Sequence, residues 1–325
     1  MGLTDEKPSF LKNPALTKDV AAGILATFAF FLSAMVIPVA GIAIGVFTPL
    51  PALVFYYRWG SPRGYWVPVG SAFAGGLLLH FLDIDRGIPY FLEMVAVGLF
   101  LGIGMRRQWS AEKVIGGAGL FVCMLGAVVF WASYTDSPGG LLQYLEEDLQ
   151  RTVAATFQHY GTFNLEKDSL ENAIRDALPT VVRLLPGISI SSALVTCWLN
   201  VLVARRYCRL RAIELPSGPE WALWKAPEQF VWVVIAGGFS LLLPYAVSKA
   251  VALNLLVVLT TVYLFQGYAI AAFFFERWKL PRVLRAVIYS FFLLQQFATL
   301  AAALTGFFDV WLDFRRLSQK PASDV

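Results

Sequence analysis

Two short stretches of this chain carry nearly all of its chemistry-bearing side chains. In LLLHFLDIDRGIPYFLEMV, His80, Asp83, Asp85, Arg86 and Glu93 lie close together between two apolar runs. Carboxylates beside an imidazole and a guanidinium can line a polar pocket for a small molecule. An ionised carboxylate at the middle of a bilayer costs roughly 2.5–3.5 kcal/mol on insertion scales. Glu93 sits only a turn or two into its apolar run, so its cost is lower, but it still needs a partner or a wet cavity. His80 or Arg86 is placed to supply one. The cluster therefore reads either as an outward-facing ligand pocket between two spans or as an ion-pair group that sets helix depth.

The second stretch, TGFFDVWLDFRR, closes the last apolar run with Asp309, Trp311, Asp313, Arg315 and Arg316. At 100° per residue, Phe307, Trp311 and Phe314 share one side of a helix, and Asp309, Asp313 and Arg316 the other. Asp313 and Arg316 are spaced to pair at i,i+3. The pattern predicts an interfacial anchor, with rings at the headgroups and charges in water. A docking surface for another protein is the second reading. Further polar residues inside apolar runs are Asn200, Asn254, Gln266, Gln295 and Gln296, and amides in a bundle tie helices together at about 0.6 kcal/mol each.

Other catalytic signatures are missing from the sequence. There is no GxxxxGK[ST] loop, no HExxH and no GxSxG, and the chain has two histidines, His80 and His159. Cys123, Cys197 and Cys208 form no CxxC pair. The expectation is a non-enzyme with no cofactor and no metal site. The net charge of +4 does not imply nucleic acid, because the lysines and arginines gather at the ends of apolar runs.

These residues must be positioned by elements suited to lipid. The 325 residues are 58% hydrophobic and 15% charged, with mean hydropathy +0.63, against about 25% charged in a soluble domain. The apolar runs are continuous rather than alternating, which excludes a transmembrane β-barrel. The chain reads as an all-α polytopic bundle of eight to nine spans: 21–38, 41–57, 65–82, 88–105, 114–134, 179–204, 229–248, 250–275 and 286–306. The polar residues 1–20 lack the apolar core of a signal peptide and are expected to be cytoplasmic. Residues 21–134 form an N-terminal bundle and 179–308 a C-terminal set of spans. Between them, 135–178 is acidic, with eight acids and three bases, and is expected to form amphipathic helices outside the membrane. Residues 309–325 form an interfacial tail.

In the second span, TPLP removes backbone donors at Pro49 and Pro51, which predicts a kink or a re-entrant turn. An N-terminus inside places most lysines and arginines on the cytoplasmic side of a bacterial inner membrane. With nine spans the tail then lies outside, so either one span is re-entrant, TPLP first, or the tail's aspartates blunt the signal. Residues 205–228 make a basic, then proline-rich cytoplasmic loop. Small residues recur at four-residue spacing at Ala22/Ala26, Ala29/Ser33, Gly41/Gly45 and Gly98/Gly102, a pattern that lets helices approach closely.

The closing Asp-x-Trp-x-Asp-Phe-Arg after a glycine, together with TPLPALVFYYRWGSPRGYW, GLFLGIGMRR and LFQGYAIAAFFF, resembles the YybS-like family of bacterial membrane proteins of unknown function. The resemblance covers most of the chain and brings no activity with it. The N-terminal half is similar in layout to the membrane-embedded substrate-binding subunits of energy-coupling-factor transporters. Those meet a transmembrane partner through an Ala-x-x-x-Ala stripe on the first helix, a spacing met by Ala22 and Ala26. This chain has about three more spans. The partners expected are the lipid bilayer and energy-coupling transporter subunits or other membrane proteins. The reading is a small-molecule binding or transport component without its own ATPase; the alternative is a membrane scaffold that recruits proteins.

Overall fold

The computed structural model describes residues 14–37, 40–134, 147, 149–151, 167–213 and 221–317. Among them every regular element is helical. The helices are α1 (Pro14–Val36), α2 (Ala40–Gly45), α3 (Leu50–Trp59), α4 (Trp66–Phe81), α5 (Ile88–Arg106), α6 (Ala111–Tyr134), α7 (Lys167–Leu210), α8 (Gln229–Ser240), α9 (Ala246–Arg277), α10 (Arg282–Leu294) and α11 (Gln296–Leu312). The chain forms two compact units, Met1–Trp131 with Ser192–Gly218, and Ala132–Ser191 with Pro219–Val325.

Among the described residues, six helical segments are long and apolar enough to cross a membrane, or seven if α10 and α11 count as one bent span. This replaces the expected eight to nine, and each shortfall has a local cause. α8 is 12 residues long, about 18 Å, because a turn at Leu241–Leu243 and Pro244 stop it. α4 is 16 residues, about 24 Å against a hydrocarbon core of about 30 Å. The expected span 286–306 is two helices meeting at 99°, because Gln295 is extended (φ −100°, ψ 110°). The sharp bend is therefore at Gln295; at TPLP the helix is interrupted at 46–49, as expected of a kink, yet α2 and α3 form one crossing-length segment, Ala40–Trp59.

The expected separate helix at 168–178 and span 179–204 are one helix, α7, of 44 residues. It runs through Pro179 and Pro186. The rest of the expected amphipathic segment 135–178 lies outside the described residues, apart from Glu147 and 149–151. Arg151 pairs there with Glu147 at 3.8 Å.

In the first unit an aromatic and aliphatic core joins α1, α4 and α5. Phe28, Phe31, Leu79, Phe91 and Val95 pack together, with Phe28 stacked on Phe91 at 5.5 Å and Phe31 edge-on to it at 4.9 Å. Glycines set the closest approaches. A Cβ on Gly98 would lie 2.3 Å from the Pro49 carbonyl oxygen, and one on Gly102 2.9 Å from that of Leu53, so α5 rests on the α3 backbone. In the second unit α9 and α11 pack antiparallel, Tyr263 against Gly306 and Gly267 against Ala302. A Cβ on Gly267 would meet the Ala302 carbonyl at 2.0 Å.

Candidate functional sites

Two amides inside the apolar helices bond to backbone groups beside prolines. At the turn 46–49 between α2 and α3, Pro49 and Pro51 cannot donate to carbonyls one turn back, and in lipid those carbonyls need other donors. The Gly45 carbonyl accepts the Thr48 N–H at 3.0 Å and its hydroxyl at 2.6 Å. The Val46 carbonyl accepts the Asn200 side-chain N–H at 2.9 Å, and Thr48 and Asn200 are both fully buried. In the second unit Asn254 enters the α7 ladder just after Pro186. The Gly187 N–H donates to Asn254 Oδ1 at 2.6 Å, and Asn254 Nδ2 donates to the Arg183 carbonyl at 2.8 Å. The side chain thus bridges Arg183 and Gly187, on either side of Pro186. Gly187 has to be glycine, since its Cβ would lie 2.8 Å from the Asn254 backbone oxygen.

The C-terminal stretch is the most connected polar site. α11 ends at Leu312 with Asp313 in the left-handed region (φ 39°, ψ 57°), a conformation aspartate tolerates. The chain turns back there, which overturns the helical-wheel expectation, since Arg316 is no longer on the helix. The Phe314 N–H reaches Asp309 Oδ1 at 2.9 Å. Arg315 folds onto Asp309 Oδ2 at 2.8 Å, and both side chains are 0% exposed. Gln266 Nε2 donates to the same oxygen at 2.9 Å, while Gln266 Oε1 accepts the Ala226 N–H at 3.0 Å. Arg315 also donates to the carbonyls of Ala222 at 2.7 Å and Trp224 at 3.0 Å. Asp313 pairs with Lys225 at 2.9 Å and accepts the Leu317 N–H at 3.1 Å, and its backbone carbonyl accepts the Arg316 N–H at 2.7 Å.

The two aspartates therefore do different work. Asp309 neutralises a buried arginine, and Asp313 reverses the chain and holds Lys225. Together they fasten segment 221–226 and the chain end to α9. The expectation of Asp309 in water is corrected, because chain reversal brings Arg315 in to neutralise it. Trp311, Phe314 and Arg316 face outward. Lys225 and the carbonyls of Ala222 and Trp224 carry no sequence signal of their role, because they lie some 90 residues from Arg315 and Asp313.

The other cluster opens into a surface turn. His80 is in the last turn of α4, Asp83 follows with φ 56°, and Asp85 and Arg86 lie in the 3₁₀ turn Asp85–Gly87 before α5. His80 Nδ1 lies 2.8 Å from Asp85 Oδ1, with the two side chains 69% and 61% exposed. So His80 is matched with Asp85 and not with Glu93, and the side chain of Arg86, the other residue expected to partner Glu93, lies outside the described side chains. Glu93 lies on α5 and is half-buried. Its electrostatic neighbours are Tyr90 and Cys123 of α6. Among the described side chains it has no ion-pair partner.

The opposite ends of these helices are basic and aromatic. Arg106 lies over Gly60 and donates to the Tyr57 carbonyl at 2.7 Å. Gly60 has φ +62°, and a Cβ there would meet the Arg106 guanidinium at 2.4 Å. Arg58 pairs with Asp19 at 2.7 Å and lies over Trp59, Arg107 lies over Trp109 and Arg211 over Tyr207. Arg206, Arg209 and Arg211 are exposed at the end of α7; residues 214–220 of the expected 205–228 loop lie outside the described residues.

No curated protein and no solved structure matches this chain. A family described as "Predicted membrane protein (DUF2232)" matches residues 25–310, and the chain, a multi-span membrane protein, belongs to that family.

Proposed function

We propose that the chain is a membrane-embedded binding or transport component for a small polar or cationic molecule, entered near His80, Asp83, Asp85, Arg86 and Glu93. The observation that carries this reading is Glu93. It is a half-buried carboxylate on a membrane-length helix without an ion-pair partner among the described side chains, and an intramembrane acid is costly enough to imply a use. The acids at this end attract cations. The exposed Trp66, Trp109 and Tyr207 beside Arg58, Arg106, Arg107, Arg206 and Arg209 at the other end support a cytoplasmic orientation for that end. In this reading the protein resides in a bacterial inner membrane, is YybS-like, and draws its energy from a separate coupling subunit, since the sequence carries no phosphate loop. A scaffold role would have to use Trp311, Phe314 and Arg316, because Asp309 and Arg315 are turned inward.

The test is native mass spectrometry of the protein released gently from its own membrane, compared with Glu93→Gln. A small molecule of fixed mass retained by the first and lost from the second supports the reading. Equal retention moves the site elsewhere. Stoichiometric protein partners with no small molecule would favour the scaffold, unless the partner were an energy-coupling subunit.

A further inference from the structure

We propose that α10 is an in-plane interfacial helix, lying at the boundary between lipid headgroups and acyl chains of the same bilayer that α9 crosses. Its direction is the first argument. α11 runs antiparallel along α9, a 32-residue membrane-length helix, with backbones in contact at Gly267 and Gly306. α10 leaves α11 at 99°, so it runs across the direction of the spans. At 13 residues it is about 20 Å long and too short to cross alone. The bend is hydrogen-bonded, as lipid requires. The Thr299 hydroxyl donates to the carbonyls of Phe292 and Gln295, the first of them freed by the end of α10.

The faces of α10 are the second argument. One face packs on α9, with Tyr289 5.2 Å from Phe275 and 5.9 Å from Tyr268, and Phe292 6.1 Å from Tyr268. The outward face carries Val283, Val287, Phe291 and Leu294 at i, i+4, i+8 and i+11, all exposed, Leu294 at 85%. A helix turned to water would place polar residues there. The occupant is set by charge. Arg277, Lys279, Arg282 and Arg285 surround the start of α10, with Glu276 the one acid between 276 and 294, and Trp278 is exposed beside them. An apolar stripe flanked by bases and a tryptophan matches the anionic headgroup region.

The experiment measures depth. The full chain, with only the half-buried Cys123 replaced by alanine, is reconstituted in phosphatidylcholine–phosphatidylglycerol vesicles. Single cysteines (Val283→Cys, Val287→Cys, Phe291→Cys, Leu294→Cys) carry an environment-sensitive fluorophore, and nitroxide lipids quench it from shallow or deep positions. The expected result is one shallow depth for all four. A spanning helix would spread Val283 and Leu294 by about 16 Å, and that gradient would overturn the proposal. So would the absence of quenching, which would mean water or a protein partner on this face. Leu120, Met124 and Val128, exposed along α6, serve as the control and must show the gradient. Should Phe291→Cys disturb the packing beside Phe292, the two ends, Val283 and Leu294, decide alone.

Discussion

Replacing Asp309 by alanine should be among the most damaging single changes in the second unit. The carboxylate takes three hydrogen bonds, from Arg315, Gln266 and the Phe314 backbone. Its removal leaves the Arg315 guanidinium buried and uncompensated, with its Nε already without a partner among the described residues. Breaking a buried pair from one side costs about 3–5 kcal/mol. Removing both charges avoids the stranded ion, so an Asp309→Leu, Arg315→Met double variant should recover most of that loss. Asp313→Ala provides the scale. Its partner Lys225 is about one-third exposed, and such pairs contribute about 0.2–1 kcal/mol, to which the lost left-handed cap adds a comparable amount. The assay is the apparent melting temperature of each purified variant in one detergent, followed by intrinsic tryptophan fluorescence. The expected order of stability is wild type, then Asp313→Ala and the double variant, then Asp309→Ala lowest. If Asp309→Ala melts with wild type, or if the double variant is no better than the single, the closed buried network is not what holds the chain end.

Glycine contacts give a prediction with an internal control. Gly267→Val should sharply reduce the amount of folded protein extracted from membranes, because its Cβ would lie 2.0 Å from a backbone oxygen, and backbone cannot step aside cheaply. Gly76→Ala and Gly238→Ala have nothing within 4 Å and should be neutral or stabilise by up to about 1 kcal/mol, read as an unchanged or higher melting temperature. Asn254→Ala should remove the bridge between the Gly187 N–H and the Arg183 carbonyl. A loss of about 0.5–2 kcal/mol is expected in the same melting assay, and no loss would mean that the bridge does not stabilise α7.

The composition, the continuous apolar runs and the amides within them were legible as an all-α membrane chain because each is a local property. Lipid leaves no alternative to internally bonded helices, so hydropathy alone identifies the class. The small-residue pairs Gly41/Gly45 and Gly98/Gly102 were legible for the same reason, since close approach depends on the residue's own size. Span counts were not. Apolar runs 229–248 and 286–306 satisfy hydropathy, but a turn after Ser240 and an extended Gln295 divide them. Whether such a residue bends depends on whether neighbours satisfy the freed carbonyls, as Thr299 does here.

The stretch TGFFDVWLDFRR shows the same division at the level of single residues. Its sequence determines a boundary, aromatic on one side and charged within a few residues, and the pattern reads as an anchor. Only the tertiary structure decides that Asp309 and Arg315 point inward, since their partners Gln266, Ala222 and Trp224 come from 43 to 93 residues away. A carboxylate in lipid surroundings is tolerable only when a distant segment brings its counter-charge and donors. That long-range satisfaction is a property of the folded chain, and no local spacing encodes it.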